Sequence, residues 1–357
     1  MKVSILGNGL TSLTLANSLL NQGVSVDIFS DQKIRKINKI QTIGISKSNA
    51  EFFNDKILNI KKLLWNINKI EIYDEKFKNE KLLDFENNGK QLFSIVRNCD
   101  LYNSLLLNLK KNRLIKFKKN LKLNNFEKNN SDLIFNCDPN ISISKKFFYK
   151  KIQKNYNSFA HVSSFSHKKF SNNNTASQIF TKNGPLAFLP ISPTETSVVY
   201  SARGKKNIDL KNLIKKYNTR YKIIKINEFI SFELKSSNLR SYYHKNIIAF
   251  GDMLHRLHPL AGQGFNMTIR DIKEIYSLIE FKKAHGLVLD TSICSDFEKN
   301  TKNKNYLFSN GIDFIYEFFN NENKINNNTF NNSLKLFGKN QIVSKIFTKL
   351  ADNGFMI

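Results

Sequence analysis

Residues 251–267 read GDMLHRLHPLAGQGFNM, and two parts of that run carry chemistry. Gly251 and Asp252 follow the apolar residues 247–250, so a strand delivers one carboxylate at its end. A carboxylate there can accept hydrogen bonds from a chain of sugar-like hydroxyls. Gly262, Gln263 and Gly264 then open a segment in which Ile269, Ile272, Ile275 and Ile279 recur at helical spacing. The free N–H groups and positive dipole end of such a helix suit an anionic ring or its carbonyl oxygen. Between the two parts lie His255 and His258, which titrate near neutrality by residue type.

A second feature stands near residue 1. Residues 3–6 form a short apolar strand, Gly7, Asn8, Gly9, Leu10, Thr11 and Ser12 a tight turn, and residues 13–20 a helix. This is the dinucleotide fingerprint in its required strand–turn–helix context. Gly7 allows the turn and Gly9 lets the backbone approach a pyrophosphate. Ser12 stands where a third glycine eases helix–strand packing. The next strand, 24–29, should end on an acidic residue that binds an adenosine ribose. Ser30 holds that terminus and Asp31 follows, so Asp31 is the ribose candidate. Alone, the fingerprint also fits a glycine-containing turn in another α/β unit; the GD…GQG element far along the chain argues against that alternative.

Taken together, these residues resemble the FAD-dependent aromatic hydroxylases of the p-hydroxybenzoate hydroxylase fold, and within them the ubiquinone-biosynthesis hydroxylases. Residues 251–266 match that subfamily's second motif except at Met253 and Leu254. Residues 95–101 are similar to the family's helix start, whose Asn or Gln reaches the ribityl chain, which makes Asn98 that contact. Residues 184–190 and 197–200 are similar to substrate-sheet strands, and the likeness runs from Lys2 to about Phe319. By position, the resemblance gives Gly7, Gly9, Leu10, Thr11 and Ser12 to the pyrophosphate and Asp252 to the ribitol. It gives Gly262, Gln263, Gly264, Phe265 and Asn266 to the pyrimidine side of the flavin, Pro259 to its reacting edge, and Leu186, Ala187 and Phe188 to the substrate wall. His255, His258 and Pro259 are the catalytic candidates by family position alone, and a structural hydrogen bond is the competing role for each histidine. His161 and His167 read as half-buried or surface residues.

Two positions depart from the family. Its middle motif appears as Cys137, Asp138, Pro139, Asn140, Ile141, Ser142, with Asp138 and Ser142 in place and Pro139 in place of Gly. Proline fixes φ and deletes an N–H in a loop that otherwise serves both FAD and reduced nicotinamide. Residues 41–46 resemble a segment that begins with a flavin-contacting Arg, and here Gln41 stands first. The resemblance implies hydroxylation of a polyprenylated phenol ring with O2 through a flavin C4a-hydroperoxide. FAD is the cofactor, and NADPH or an external donor supplies the electrons. The alternatives are a same-fold FAD oxidoreductase with another reaction, or a catalytically idle flavoprotein serving as a scaffold in a quinone-synthesis complex.

The fold class expected is α/β: a Rossmann-type FAD-binding domain, an interleaved antiparallel-sheet substrate domain and C-terminal helices. Residues 1–57, 95–150 and 244–290 are expected in the first domain, 58–94 and 151–243 in the second, and 291–357 in the helical region. A polar linker at 321–332 and a last helix near 341–350 are expected in that region. At 357 residues the chain is long enough to bury a dinucleotide between two domains. No apolar run is long enough to span a bilayer. Residues 1–20 read as the fingerprint rather than a signal peptide, giving an expectation of a mature cytoplasmic protein. Cys99, Cys137 and Cys294 lack metal-ligand spacing and are too few for a disulfide framework, so no metal is expected and each reads as apolar filler. The net charge of +27 is scattered through Asn-, Ile- and Lys-rich stretches with no recognition motif, which argues against nucleic acid. It suits an anionic membrane surface, with the protein peripheral on the inner face of the cytoplasmic membrane.

Overall fold

A computed structural model of the chain describes residues 1–30, 37–75, 81–86, 89–119, 131–204, 207–258 and 262–321. Asp31, Pro259 and the expected linker and last helix at 322–357 lie outside the described residues.

The first unit begins with β1 (Lys2–Leu6), α1 (Leu10–Asn21) and β2 (Ser25–Phe29). Both strands are apolar or fully buried nearly end to end, as strands covered on two faces must be. The chain then makes β3 (Thr42–Ser46), α2 (Lys47–Phe52) and β4 (Trp65–Ile67), followed by β5 (Lys69–Asp74) and β6 (Lys81–Glu86). It returns through β7 (Phe93–Arg97), α3 (Asn98–Lys110), β8 (Ile115–Lys118), β9 (Leu133–Asn136) and α4 (Ser142–Phe147). A long antiparallel stretch follows: β10 (Lys151–His167), β11 (Thr175–Thr181), β12 (Gly184–Ser192) and β13 (Glu195–Arg203). Helix α5 (Leu210–Tyr217) leads to β14 (Ile223–Ile226) and β15 (Ile230–Leu239). The last strands are β16 (Tyr243–His244), β17 (Ile247–Ala249) and β18 (His255–Arg256), before α6 (Gln263–Ala284) and α7 (Ser292–Asn321).

Among the described residues these strands form three sheets. One has the order β16-β17-β9-β1-β2-β8, with β17, β9, β1, β2 and β8 parallel. A large, mostly antiparallel sheet has the order β18-β15-β10-β13-β12-β11-β5-β6, with β14 added at β10. A small sheet, β3-β7-β4, lies between them. Residues 67–73, expected in the substrate sheet as part of 58–94, do not enter the large sheet whole. Trp65–Ile67 pairs with β7, whereas Lys69–Asp74 pairs with β11, and Asn68 marks the change of partner. The main core packs α1, α3 and α6 on the parallel sheet through Leu13, Leu105, Ile269, Ile272 and Phe135.

Candidate active site

The parallel strands β1, β9 and β17 are neighbours, so three chemically distinct turns leave their carboxyl ends side by side, where open α/β sheets bind ligands. The first turn follows β1. Gly7 has φ +104 and its N–H donates to Phe29 O at 2.8 Å, which closes the turn on β2. Gly9 starts α1 with no side-chain cap, so the helix's first N–H groups stay available to a ligand. A Cβ added at Gly9 would meet nothing within 4 Å. The turn thus opens onto space at Gly9, whereas at Gly7 an added Cβ would stand 3.4 Å from Asp138 Cβ.

The second turn follows β9 and carries Cys137 and Asp138. Cys137 N–H donates to Leu6 O at 3.0 Å, which ties this turn to β1. The Asp138 carboxylate accepts the Asn140 N–H at 2.9 Å, and its carbonyl accepts the Ser144 hydroxyl. Asn136 donates to Ser144 Oγ at 2.8 Å and accepts the Asp138 N–H at 3.2 Å. The Asn136–Ser144 pair braces the Asp138 turn, whereas Ser142, the motif serine, begins α4.

The third turn follows β17. Gly251 has φ +64, and an added Cβ would lie 2.6 Å from Thr11 Cγ2, so the turn packs on the start of α1. Asp252 is exposed at the crevice. The three turns converge at Cys137. Burial, helped by the carboxylates of Asp138 and Asp252, pushes its thiol up to about 12.

The start of α6 closes the far side. Gly262 has φ +64 and lies against β3, where an added Cβ would be 3.4 Å from Gly44 N; one at Gly264 would meet nothing within 4 Å. Asn266, expected to face a flavin ring, is instead engaged with β3 and α2. Its Oδ1 accepts from Ser46 N (2.8 Å) and Asn49 Nδ2 (2.9 Å), and its Nδ2 donates to Gly44 O (3.0 Å) and Gly262 O (3.3 Å). With acceptor and donors taken, its side chain clamps α6 to β3. Phe265 packs on the main core and Gln263 is buried. Asn98 opens α3, with its N–H on Gln41 O at 2.9 Å and a buried Oδ1 that lacks a partner. An orphaned acceptor of this kind fits a ligand hydroxyl.

The histidines are packed rather than presented. His255 Nε2 is hydrogen-bonded to the Asp271 carboxylate with both side chains about 1% exposed, and Asn305 donates to the other Asp271 oxygen at 2.9 Å. Burial pushes His258 down to about 3, so it is neutral near pH 7. Its ring lies 4.0 Å from Tyr316 and 4.9 Å from Tyr156. His161 and His167 are fully buried, not half-buried, and bond Ser231 Oγ at 2.6 Å and Thr196 Oγ1 at 3.1 Å.

In the large sheet, Leu186, Ala187 and Phe188 divide between two faces because side chains alternate along a strand. Leu186 and Phe188 point outward into a core formed with Val198, Tyr200 and Ile214 of α5. This corrects their expected place on a substrate wall. Ala187 takes the opposite face, which it shares with its register partner Val199 and with Leu189, all half-buried. That face meets the small sheet: Leu189 packs with Trp65, Ile67 and Ile95, and Thr42 Oγ1 donates to Ser197 Oγ at 3.0 Å. Arg97 clasps Glu195 through two bonds of 3.1 and 2.6 Å, and this pair holds Glu195 below the usual carboxylate range. A cavity of about 520 Å³ beside Arg97 is lined by Ile37, Lys39, Cys99, Asp100 and Asn103. The Arg97–Glu195 clasp and the Asn136–Ser144 brace were not expected from the sequence, and they join residues with no shared motif.

The dinucleotide cradle, the exposed Asp252 and the orphaned Asn98 acceptor fit FAD, whereas no group of His, Cys, Asp and Glu among the described residues could hold a metal ion. No family model matches the chain. It is similar to 3-demethoxyubiquinol 3-hydroxylase of Escherichia coli (25% identity over 154 residues, 40% of this chain and 39% of that protein). It is also similar to the mitochondrial ubiquinone biosynthesis monooxygenase COQ6 of Dictyostelium discoideum (31% over 109 residues, 30% of this chain and 21% of that protein). The matches thus span less than half the length of these curated relatives. Among solved structures it is similar to p-nitrophenol 4-monooxygenase PnpA of Pseudomonas putida, with a TM-score of 0.78 at 11% identity over 99% of this chain and 98% of the other. It is similar also to a single-substitution variant of HpxO of Klebsiella pneumoniae complexed with FAD, with a TM-score of 0.74 at 11% identity over 99% of each chain. The chain therefore has the fold of the FAD-dependent monooxygenases and, over part of its length, the sequence likeness of the ubiquinone-biosynthesis hydroxylases.

Proposed function

We propose that the protein is an FAD-dependent monooxygenase that hydroxylates the phenol ring of a polyprenylated quinone precursor. The observation that carries this reading is the meeting of the Gly7–Ser12, Asp138 and Asp252 turns, with Gly7 against Asp138 and Gly251 against Thr11, in a chain whose sequence relatives are named ubiquinone-biosynthesis hydroxylases. When bound, FAD supplies the oxygen-activating chemistry. The chain's residues bind and orient. Gly9 and the first amides of α1 take the pyrophosphate, Asp252 and Asn98 Oδ1 accept from the ribityl hydroxyls, and Ala187, Leu189 and Val199 form the apolar wall. His258, neutral near pH 7, has no proton to give from an imidazolium, and His255 is engaged with Asp271. His255 ties β18 to α6 through Asp271, and His258 packs against Tyr156 of β10 and Tyr316 of α7.

A soluble aromatic acid needs a fixed cation for its carboxylate. Arg97 is clasped to Glu195, Arg220 is bonded to Glu71 at 2.8 Å, and Arg203 is exposed at the end of β13. The pairing of Arg97 and Arg220 supports an uncharged, prenylated ring, and the net charge of +27 supports a working position at the cytoplasmic membrane surface. Pro139 bears on the electron donor: a stiffened loop favours slow direct reduction by NADPH or delivery from a partner protein. The test is turnover of a short-chain prenylated phenol against p-hydroxybenzoate by the FAD-loaded protein. Preference for the prenylated phenol is expected; preference for the acid contradicts the substrate assignment. Pro139 and Gln41 also favour a second reading, a flavoprotein scaffold. Bound flavin without turnover of any phenol, under chemical as well as NADPH reduction, would select it.

A further inference from the structure

We infer that residues 168–170 and the adjoining strand β14 form the face on which this protein docks to an anionic lipid bilayer, an inference that rests on the lipid-substrate reading above. The two segments run side by side: Lys168 N–H donates to Lys222 O at 3.0 Å, and His167 pairs with Ile223 in register. Their tip is apolar and outward, with Phe170 38% and Ile224 68% exposed. Lys168, Lys169, Lys222 and Lys225 surround it, all exposed. No acidic residue falls within 168–177 or 219–227. Apolar side chains ringed by lysines match an interface in which the former enter the headgroup boundary and the latter meet anionic headgroups.

The tip is braced from beneath. The Tyr221 ring lies 4.5 Å from His167 and 6.2 Å from Phe170. Tyr221 OH donates to Asn173 Oδ1 at 2.8 Å, and Asn173 Nδ2 donates to Ser192 O at 2.7 Å. The same turn leads toward the site. Trp65 Nε1 donates to Asn173 O at 2.6 Å, and Trp65 packs with Leu189 on the apolar sheet face. A bilayer at this tip would therefore adjoin the wall assigned to the prenylated ring. A second exposed apolar tip, Leu287 and Val288, follows the C-terminal end of the 22-residue α6. That places it roughly 33 Å along the helix from the crevice.

Vesicle flotation of the full chain tests the surface, with phosphatidylcholine alone and with added phosphatidylglycerol. Reversing Lys168, Lys169, Lys222 and Lys225 to Glu is expected to lower partitioning onto the anionic vesicles at least about a hundredfold at low salt. Reversing the exposed Lys110, Lys111, Lys116 and Lys119 to Glu adds the same negative charge elsewhere and should leave partitioning within about threefold. The pair Phe170→Ser and Ile224→Ser should keep low-salt attraction but release the protein as salt rises. Circular dichroism and the thermal midpoint confirm that each variant is folded. Equal loss from both lysine sets, no loss from either, or retention on nucleic acid or an acidic polypeptide without vesicle binding would overturn the surface. Vesicle binding needs no flavin. Loss of hydroxylation with patch-dependent binding intact counts against the functional reading alone, and the reverse counts against this surface alone.

Discussion

The nucleotide crevice and the large sheet both depend on glycine, and they use it in opposite ways. At Gly9 a Cβ would meet nothing within 4 Å; at Gly184, where φ is +136, it would lie 1.9 Å from Ser201 O. At one glycine the space beside the backbone is open, and at the other two strands of the chain approach each other closely. A glycine that the fold does not need is the better pointer to a ligand.

The largest expected effect lies in the sheet. Gly184→Ala forces a side chain against backbone at a positive φ, and a loss above about 4 kcal/mol is expected, enough to prevent recovery of folded protein. A normal thermal midpoint for this variant would break the contrast. Next is the division of β12 between two faces. Leu186→Ala, cutting into the core beneath α5, should cost about 2–5 kcal/mol in denaturant unfolding. Ala187→Leu on the inner face should shift the midpoint little and raise the KM for the prenylated phenol. If Leu186→Ala is neutral in stability and Ala187→Leu is neutral in KM, the two faces have been assigned wrongly.

A smaller effect sharpens the reading of His258. Its folded value is depressed from 6.5 to about 3 by burial, so below pH 6.5 the unfolded chain binds a proton that the folded chain does not. The contribution is fully present above 6.5 and is lost as pH falls toward about 3, with a limiting slope of about 1.4 kcal/mol per pH unit. His258→Phe should remove that slope from the unfolding free energy between pH 6.5 and about 5. An unchanged slope would mean that the imidazole titrates freely, and would return it to the acid–base candidates.

What was legible in the sequence follows the same division. Gly7, Gly9, Gly251 and Gly262 sit in short motifs whose backbone demands are local, so residue type and spacing located the turns and the helices they open. Strand β12 was recognisable, but its faces were not, because residues 185–191 are all apolar and both faces are covered. Asn266 was read from its place in a motif, yet its partners Ser46 and Asn49 lie some 220 residues away. The Arg97–Glu195 clasp spans 98 residues and has no local signature. Long-range pairing decides whether a polar side chain is free for a ligand, and that pairing exists only once the chain has folded.

We propose that the turn after β1 is open because FAD fills it. Titrating FAD into purified Gly9→Val and parent protein, with the thermal midpoint of each ligand-free form, tests this directly. A midpoint close to the parent's is expected, because a Cβ there meets nothing within 4 Å, together with loss of FAD binding. Full flavin occupancy in Gly9→Val would contradict it.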